Sequence, residues 1–149
     1  MDWMILPLKR YVDFSGRSRR MEYWMFALFT ITVYILCFAL MFAGGFDLAA
    51  IENETIPEGP GPLFYLGAGL VSIFALGIII PSIALNVRRL HDRDMSGWWY
   101  LGFIVLANVP FVGLLVVIGY LVLMFLPGTP GPNRFGEDPK DPTQASVFE

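Results

Sequence analysis

Arg88-Arg89-Leu90-His91-Asp92-Arg93-Asp94 and the adjoining Met95-Ser96-Gly97-Trp98-Trp99 set a run of charge and a tryptophan pair between two long apolar blocks. Those blocks are long enough to cross a bilayer, so the charged run is expected where membrane meets water, with Trp98 and Trp99 as interfacial anchors. Residues 23–43, 63–85 and 98–126 carry no formal charge over 21, 23 and 29 positions, against roughly 20 needed for a helix across the hydrocarbon. Of the 149 residues 56% are hydrophobic and 15% charged, too few polar groups to cover a soluble domain of this size. The expected fold class is all-α, an integral membrane helical bundle.

Charge is segregated along the chain. Lys9, Arg10, Arg17, Arg19 and Arg20 precede the first block, and Arg88, Arg89 and Arg93 follow the second, together eight of the ten basic residues. The connector between the blocks holds Asp47, Glu52, Glu54 and Glu58 and no basic residue. By the positive-inside rule the N-terminus and the Arg88 segment face the cytoplasm and the connector faces outward. The expected organisation is one membrane domain over 1–149. It runs from a cytoplasmic interfacial leader (1–21) through a first span (22–44), an acidic external connector (45–62) and a second span (63–86). A cytoplasmic Arg/His/Asp segment (87–97), a third apolar block (98–126) and a Pro/Gly-rich tail (127–149) follow. A cleaved signal peptide is disfavoured, because the first apolar run is longer than a signal core and a charged, aromatic leader precedes it.

The leader has apolar positions at Ile5, Leu8 and Val12 with helical spacing, and Pro7 is expected to limit a helix to starting near it. It either lies flat at the interface or packs on the rest of the protein. Trp24 is a third expected interfacial anchor. In the second block Ala68, Ser72, Ala75 and Ser82, with Gly69 and Gly77, give one side of small residues suited to close helix packing, and Pro81 predicts a kink. The third block is too long for one straight span and has Asn108, Pro110 and Gly113 near its middle. A hairpin of two short helices, giving four helical segments and a cytoplasmic C-terminus, is preferred; one long tilted span, giving three, is the alternative. A membrane-buried turn would have to satisfy its backbone within the protein.

If the helix continues through the charged run, Arg88, His91 and Asp92 share a face, with Asp92 able to pair with Arg88, while Arg89 and Arg93 share another. The residues expected to meet an anionic headgroup are Arg17, Arg20, Arg88, Arg89, His91, Asp92, Arg93, Asn133 and Arg134, since arginine's planar fork suits phosphate. Structural anchoring is the competing role for the same cluster. His91, the single histidine, has a reference pKa near 6.5 and either titrates or serves as a hydrogen-bonded structural residue. Ser96-Gly97 is expected to shape the turn before the third block, with serine as a cap.

One histidine and one cysteine, Cys37, cannot supply an ordinary zinc site, and no phosphate-binding Gly-Lys loop is present. No catalytic residue, metal or cofactor is therefore assigned. The apolar blocks contain no ionisable pathway residues, and nothing beyond the basic cluster points to nucleic acid.

Four motifs recur in order: Phe14-Ser15-Gly16-Arg17 with Arg20 and Glu22-Tyr23-Trp24; Arg88-Arg89-Leu90-His91-Asp92; Ser96-Gly97-Trp98-Trp99; and Gly128-Thr129 with Gly131, Asn133-Arg134-Phe135-Gly136 and Asp138-Pro139. Together they resemble the bacterial inner-membrane family known as domain of unknown function 805. The resemblance covers nearly the whole chain, except the connector, and implies a small multi-pass inner-membrane protein without a settled activity. The expected role is a non-enzymatic scaffold or adaptor whose basic cluster binds anionic lipid headgroups or a membrane partner, and the expected partners are membrane lipids together with a membrane protein or, in a homo-oligomer, a second copy of the chain. A small oligomeric channel or transporter is the alternative.

Overall fold

The computed structural model describes residues 2–45 and 59–140. The acidic connector with Asp47, Glu52, Glu54 and Glu58, and the distal tail to Glu149, lie outside the described residues. Among the described residues five helices occur in order: α1 (Asp2–Lys9), α2 (Arg20–Gly45), α3 (Pro62–His91), α4 (Trp98–Ala107) and α5 (Gly113–Phe125). The protein is an all-helical membrane bundle. Helices α2 and α3 have 26 and 30 residues and are apolar enough to cross a membrane, and only 11% of each apolar window is buried. A core helix of a soluble protein would instead bury most of such a window.

The third apolar block is two short helices, as preferred from sequence, with 10 and 13 residues. Their turn satisfies its backbone locally: Gly113 N–H donates to Val109 O at 2.8 Å, Val112 N–H to Pro110 O at 2.8 Å, and the Asn108 side chain to Ile104 O at 2.7 Å. Phe111 takes a positive φ of 64° at the tip and is 99% exposed. Helix α1 differs from expectation, since it begins at Asp2 and contains Pro7, which is buried. The proline forgoes only the bond to the Trp3 carbonyl, a loss that a helix of two turns tolerates.

The described residues form two compact units, 27–79 and the combination of 2–26 with 80–140. In the first, α2 and α3 approach at two glycines: an added Cβ at Gly44 would lie 2.1 Å from Phe64 N, and one at Gly67 would lie 2.6 Å from Met41 Cγ and 2.8 Å from the Cys37 carbonyl. Phe74 packs edge-on against Phe29 and Tyr34, beside buried Cys37 and Ile78. The expected small-residue side is divided: Ala68, Ala75 and Ser82 are half-buried, whereas Gly69, Ser72 and Gly77 are exposed. Glycine is required at both Gly44 and Gly67, because only the points of closest approach need the missing side chain. Helix α3 runs through Pro81 without ending.

The second unit contains all ten basic side chains and all seven acidic side chains of the described residues, a net charge of +3; the first unit has none among its described residues.

Candidate functional site: a buried arginine junction

Helix α3 ends at His91, and its last carbonyls need donors. The N–H groups of Asp92, Asp94 and Met95 in the following turn meet some of them, and segments distant in sequence add further donors. Ser18 N–H donates to Arg88 O at 3.1 Å and Thr129 N–H to the following Asp92 O at 2.8 Å, while Asn133 Nδ2 donates to His91 O at 2.9 Å. Leader and tail thus cap the same helix end.

The side chains there form two linked ion-pair groups. The Asp92 carboxylate accepts from Arg17 Nε at 3.0 Å on one oxygen and from Arg89 Nη1 on the other. Arg17 spans onward to the tail, donating to Gly131 O at 2.6 Å and Thr129 O at 2.5 Å. Arg88 donates to Glu22 Oε1 at 3.1 Å and to the Asp13 carbonyl. Glu22 Oε2 accepts from Ser18 Oγ at 2.7 Å. Arg17, Ser18, Glu22, Arg88, Arg89 and Asp92 are all buried. Each of the three guanidinium groups reaches a carboxylate, Arg17 and Arg89 sharing Asp92 and Arg88 taking Glu22, and the remaining net positive charge is spread over backbone carbonyl acceptors.

Many of those carbonyls close α5. Arg89 donates to Met124 O at 3.2 Å and to Leu126 O, Arg20 to Phe125 O at 3.1 Å, and Arg93 to Pro127 O. Positive groups at a helix C-terminus satisfy its orphan acceptors and offset its dipole. The Nε atoms of Arg88, Arg89 and Arg93 and Trp24 Nε1 are buried without a hydrogen-bond partner among the described residues.

Glycine at 128 is a spatial requirement. An added Cβ there would lie 2.0 Å from Asp92 Oδ2, so the tail passes directly over the carboxylate. Beyond it, Phe135 stacks on His91 with centroids 3.9 Å apart and planes at 4°, and the Arg134 guanidinium sits 4.7 Å from the same phenyl centroid. Because a carbonyl only accepts, His91 Nδ1 carries the proton it donates to Gly16 O at 3.1 Å. Arg134 pairs with Asp94 at 3.1 Å, with both side chains about half exposed.

Asp13 and Asp138 brace the outer edges. Burial pushes the Asp13 carboxyl up, but the Arg10 guanidinium and the Ser15 N–H outweigh it and hold it below the usual carboxylate range. The Lys140 N–H, opposed by slight burial and joined by the Gly131 N–H, likewise holds Asp138 down.

The candidate residues Arg17, Arg88, Arg89 and Asp92 therefore meet in the buried junction, with His91, Asn133 and Arg134 on the tail side and Arg20 and Arg93 at the end of α5. The expected Asp92–Arg88 pair does not form. It presumed a continuing helix, whereas α3 stops one residue before Asp92, whose carboxylate turns to Arg89 and Arg17. Glu22, the partner of Arg88, and Gly128, the floor under the tail, were not among the expected site residues. A lone carboxylate at the edge of an apolar block, with arginine at the end of the next, was the available signal for Glu22. Trp98 and Trp99 are 80% and 55% exposed, while Trp24 instead stacks on Phe125 at 4.1 Å. The N-cap of α4 is Gly97, which abuts Val87, and Ser96 Oγ accepts only at 3.4 Å from Trp98 N–H.

Residues 11–137 match the profile of a family described as "Protein of unknown function (DUF805)". The chain is 41% identical to the inner membrane protein YhaH of Escherichia coli K12 over 140 residues, covering 94% of this chain and 98% of that protein. It is 39% identical to the inner membrane protein YhaI of the same strain, covering 94% and 97%. It is 27% identical to that strain's uncharacterized protein YiiR, covering 87% of each. No solved structure matches.

Proposed function

The chain belongs to the DUF805 family of proteins of unknown function, and from that premise we propose that it is a multi-pass scaffold or adaptor of the bacterial inner membrane, with its basic unit facing the cytoplasm and meeting anionic lipid headgroups. The observation that carries this reading is the confinement of all ten basic side chains to one of the two units. The inner-membrane names of YhaH and YhaI support the location, and positive-inside charge bias supports the orientation.

Within the basic unit the arginines divide by role. Arg17, Arg88 and Arg89 are buried against protein acceptors, so they hold leader, helix ends and tail together, with Asp92 as their shared counter-ion. Headgroup contact falls to the outer cations: Lys9, Arg19, Arg20, Arg93, Arg134 and Lys140. His91, Asn133 and Phe135 fix the tail beneath that surface. A juxtamembrane cation contributes about 1 kcal/mol toward an anionic bilayer surface, so several together give a clear preference over zwitterionic lipid.

Native mass spectrometry of the detergent-solubilised chain tests this. Phosphatidylglycerol is expected to be retained at concentrations where phosphatidylcholine is lost, and equal retention would refute the headgroup reading. The competing reading, a small oligomeric channel, draws on the open face of α3 at Gly69, Ser72 and Gly77; solute flux through liposomes containing only this protein would favour it.

A further inference from the structure

Three of the outer cations converge on one place. Arg19, Arg20 and Lys140 line a cavity of about 380 Å³ whose remaining wall is Met21, Trp24 and Phe125. That volume is within the roughly 300–1,000 Å³ typical of small-ligand sites. No carboxylate lines it, and none of its three cations takes part in an ion pair among the described residues. By contrast, Arg10 and Arg134 are each paired with a carboxylate, Asp13 and Asp94. The apolar wall is built rather than incidental, because Trp24 and Phe125 stack at 4.1 Å with planes 25° apart. Arg20 is held at the rim by its bond to Phe125 O, which leaves the rest of its guanidinium fork for another acceptor. The Trp24 Nε1 donor is buried and unpaired in the same wall.

Arg19 lies 5.5 Å over the Trp3 ring and Lys140 helps to hold Asp138 down, yet cations beside an aromatic and thioether surface suit a ligand that is anionic at one end and apolar at the other. We propose that this cavity holds a single anionic phospholipid, with the start of an acyl chain against Met21, Trp24 and Phe125 and the phosphodiester at the rim, within reach of Arg19, Arg20 and Lys140. Guanidinium forks bind phosphate oxygens in pairs, and the ammonium of Lys140 adds a point charge. This site deepens the headgroup reading above and rests on it: the general basic surface prefers anionic lipid, and this cavity retains one molecule of it.

Native mass spectrometry of the full chain in detergent, titrated with phosphatidylglycerol, tests the site. One tightly retained lipid per chain is expected, and inorganic phosphate in excess should not displace it. At about fivefold per cation, Arg20→Gln combined with Lys140→Gln should weaken retention roughly thirtyfold. Because Arg20 also closes α5, Met21→Glu gives a second route: it adds a carboxylate beside the phosphate from an exposed position and should also expel the lipid. Arg134→Gln, outside the cavity, should retain it. If both cavity variants keep the lipid while the native chain still prefers phosphatidylglycerol to phosphatidylcholine, the cavity is refuted and the general surface stands. Displacement by inorganic phosphate would overturn a lipid site in favour of a free-anion site. Loss of the preference in the native chain would remove both.

Discussion

Asp92 is the counter-ion of two buried guanidinium groups and lies under a backbone that leaves no room for a side chain at position 128. Taking ions out of water is costly, and a buried pair stripped of one partner strands the other charge. Asp92→Asn keeps the shape and removes the charge from beneath Arg17 and Arg89. It should cost about 3–5 kcal/mol of stability, read from unfolding in detergent. Asp94→Asn breaks only the half-exposed pair with Arg134 and should cost about 0–1 kcal/mol. Comparable losses in the two variants would contradict the assignment of Asp92 as the hub. At this scale the sequence pointed to the right neighbourhood and the wrong pair, because helical spacing ranks partners on one helix and is blind to Arg17, 75 positions away.

Among the elements, the hairpin of α4 and α5 was legible because Asn108, Pro110 and Gly113 interrupt an apolar run too long for one span. The contact between α2 and α3 was not. Composition marked a side rich in small residues, of which Ala68, Ala75 and Ser82 are half-buried, yet the tightest approaches fall at Gly44 and at Gly67, whose virtual Cβ overlaps both Met41 and the Cys37 carbonyl. Gly67→Ile should therefore force the pair apart at a cost of about 1–3 kcal/mol. Gly69→Ala, with open space around its Cβ position, should be neutral or slightly stabilising, since alanine restricts the unfolded backbone more than glycine does. Thermal unfolding of the two variants in one detergent distinguishes them, and equal midpoints would mean that Gly67 is not a crossing point.

For the molecule as a whole, leader and tail are parts of one ionic body: Arg17 donates to Gly131 O and Thr129 O, and Ser18 N–H and Asn133 Nδ2 cap the same helix end. Residues 9 and 140 must then lie on one side of the membrane. With Cys37→Ala as background, single cysteines introduced as Lys9→Cys and as Lys140→Cys should react with a membrane-impermeant maleimide from the same side, the cytoplasmic one by charge bias. Labelling from opposite faces would be incompatible with the junction. The sequence by itself determined a helical membrane protein, the places of its apolar blocks and the concentration of positive charge at their ends, because hydrophobic length and charge bias are local properties that a chain carries wherever it folds. Only the tertiary structure decided which arginines turn inward to carboxylates and carbonyls and which stay outside, because each guanidinium selects acceptors contributed by segments far away in the chain. The run from Arg88 to Asp94 shows the division: its place at a span end is written in its neighbours, while the roles of Arg88, Arg89 and Asp92 were set by Glu22, Arg17 and Gly128.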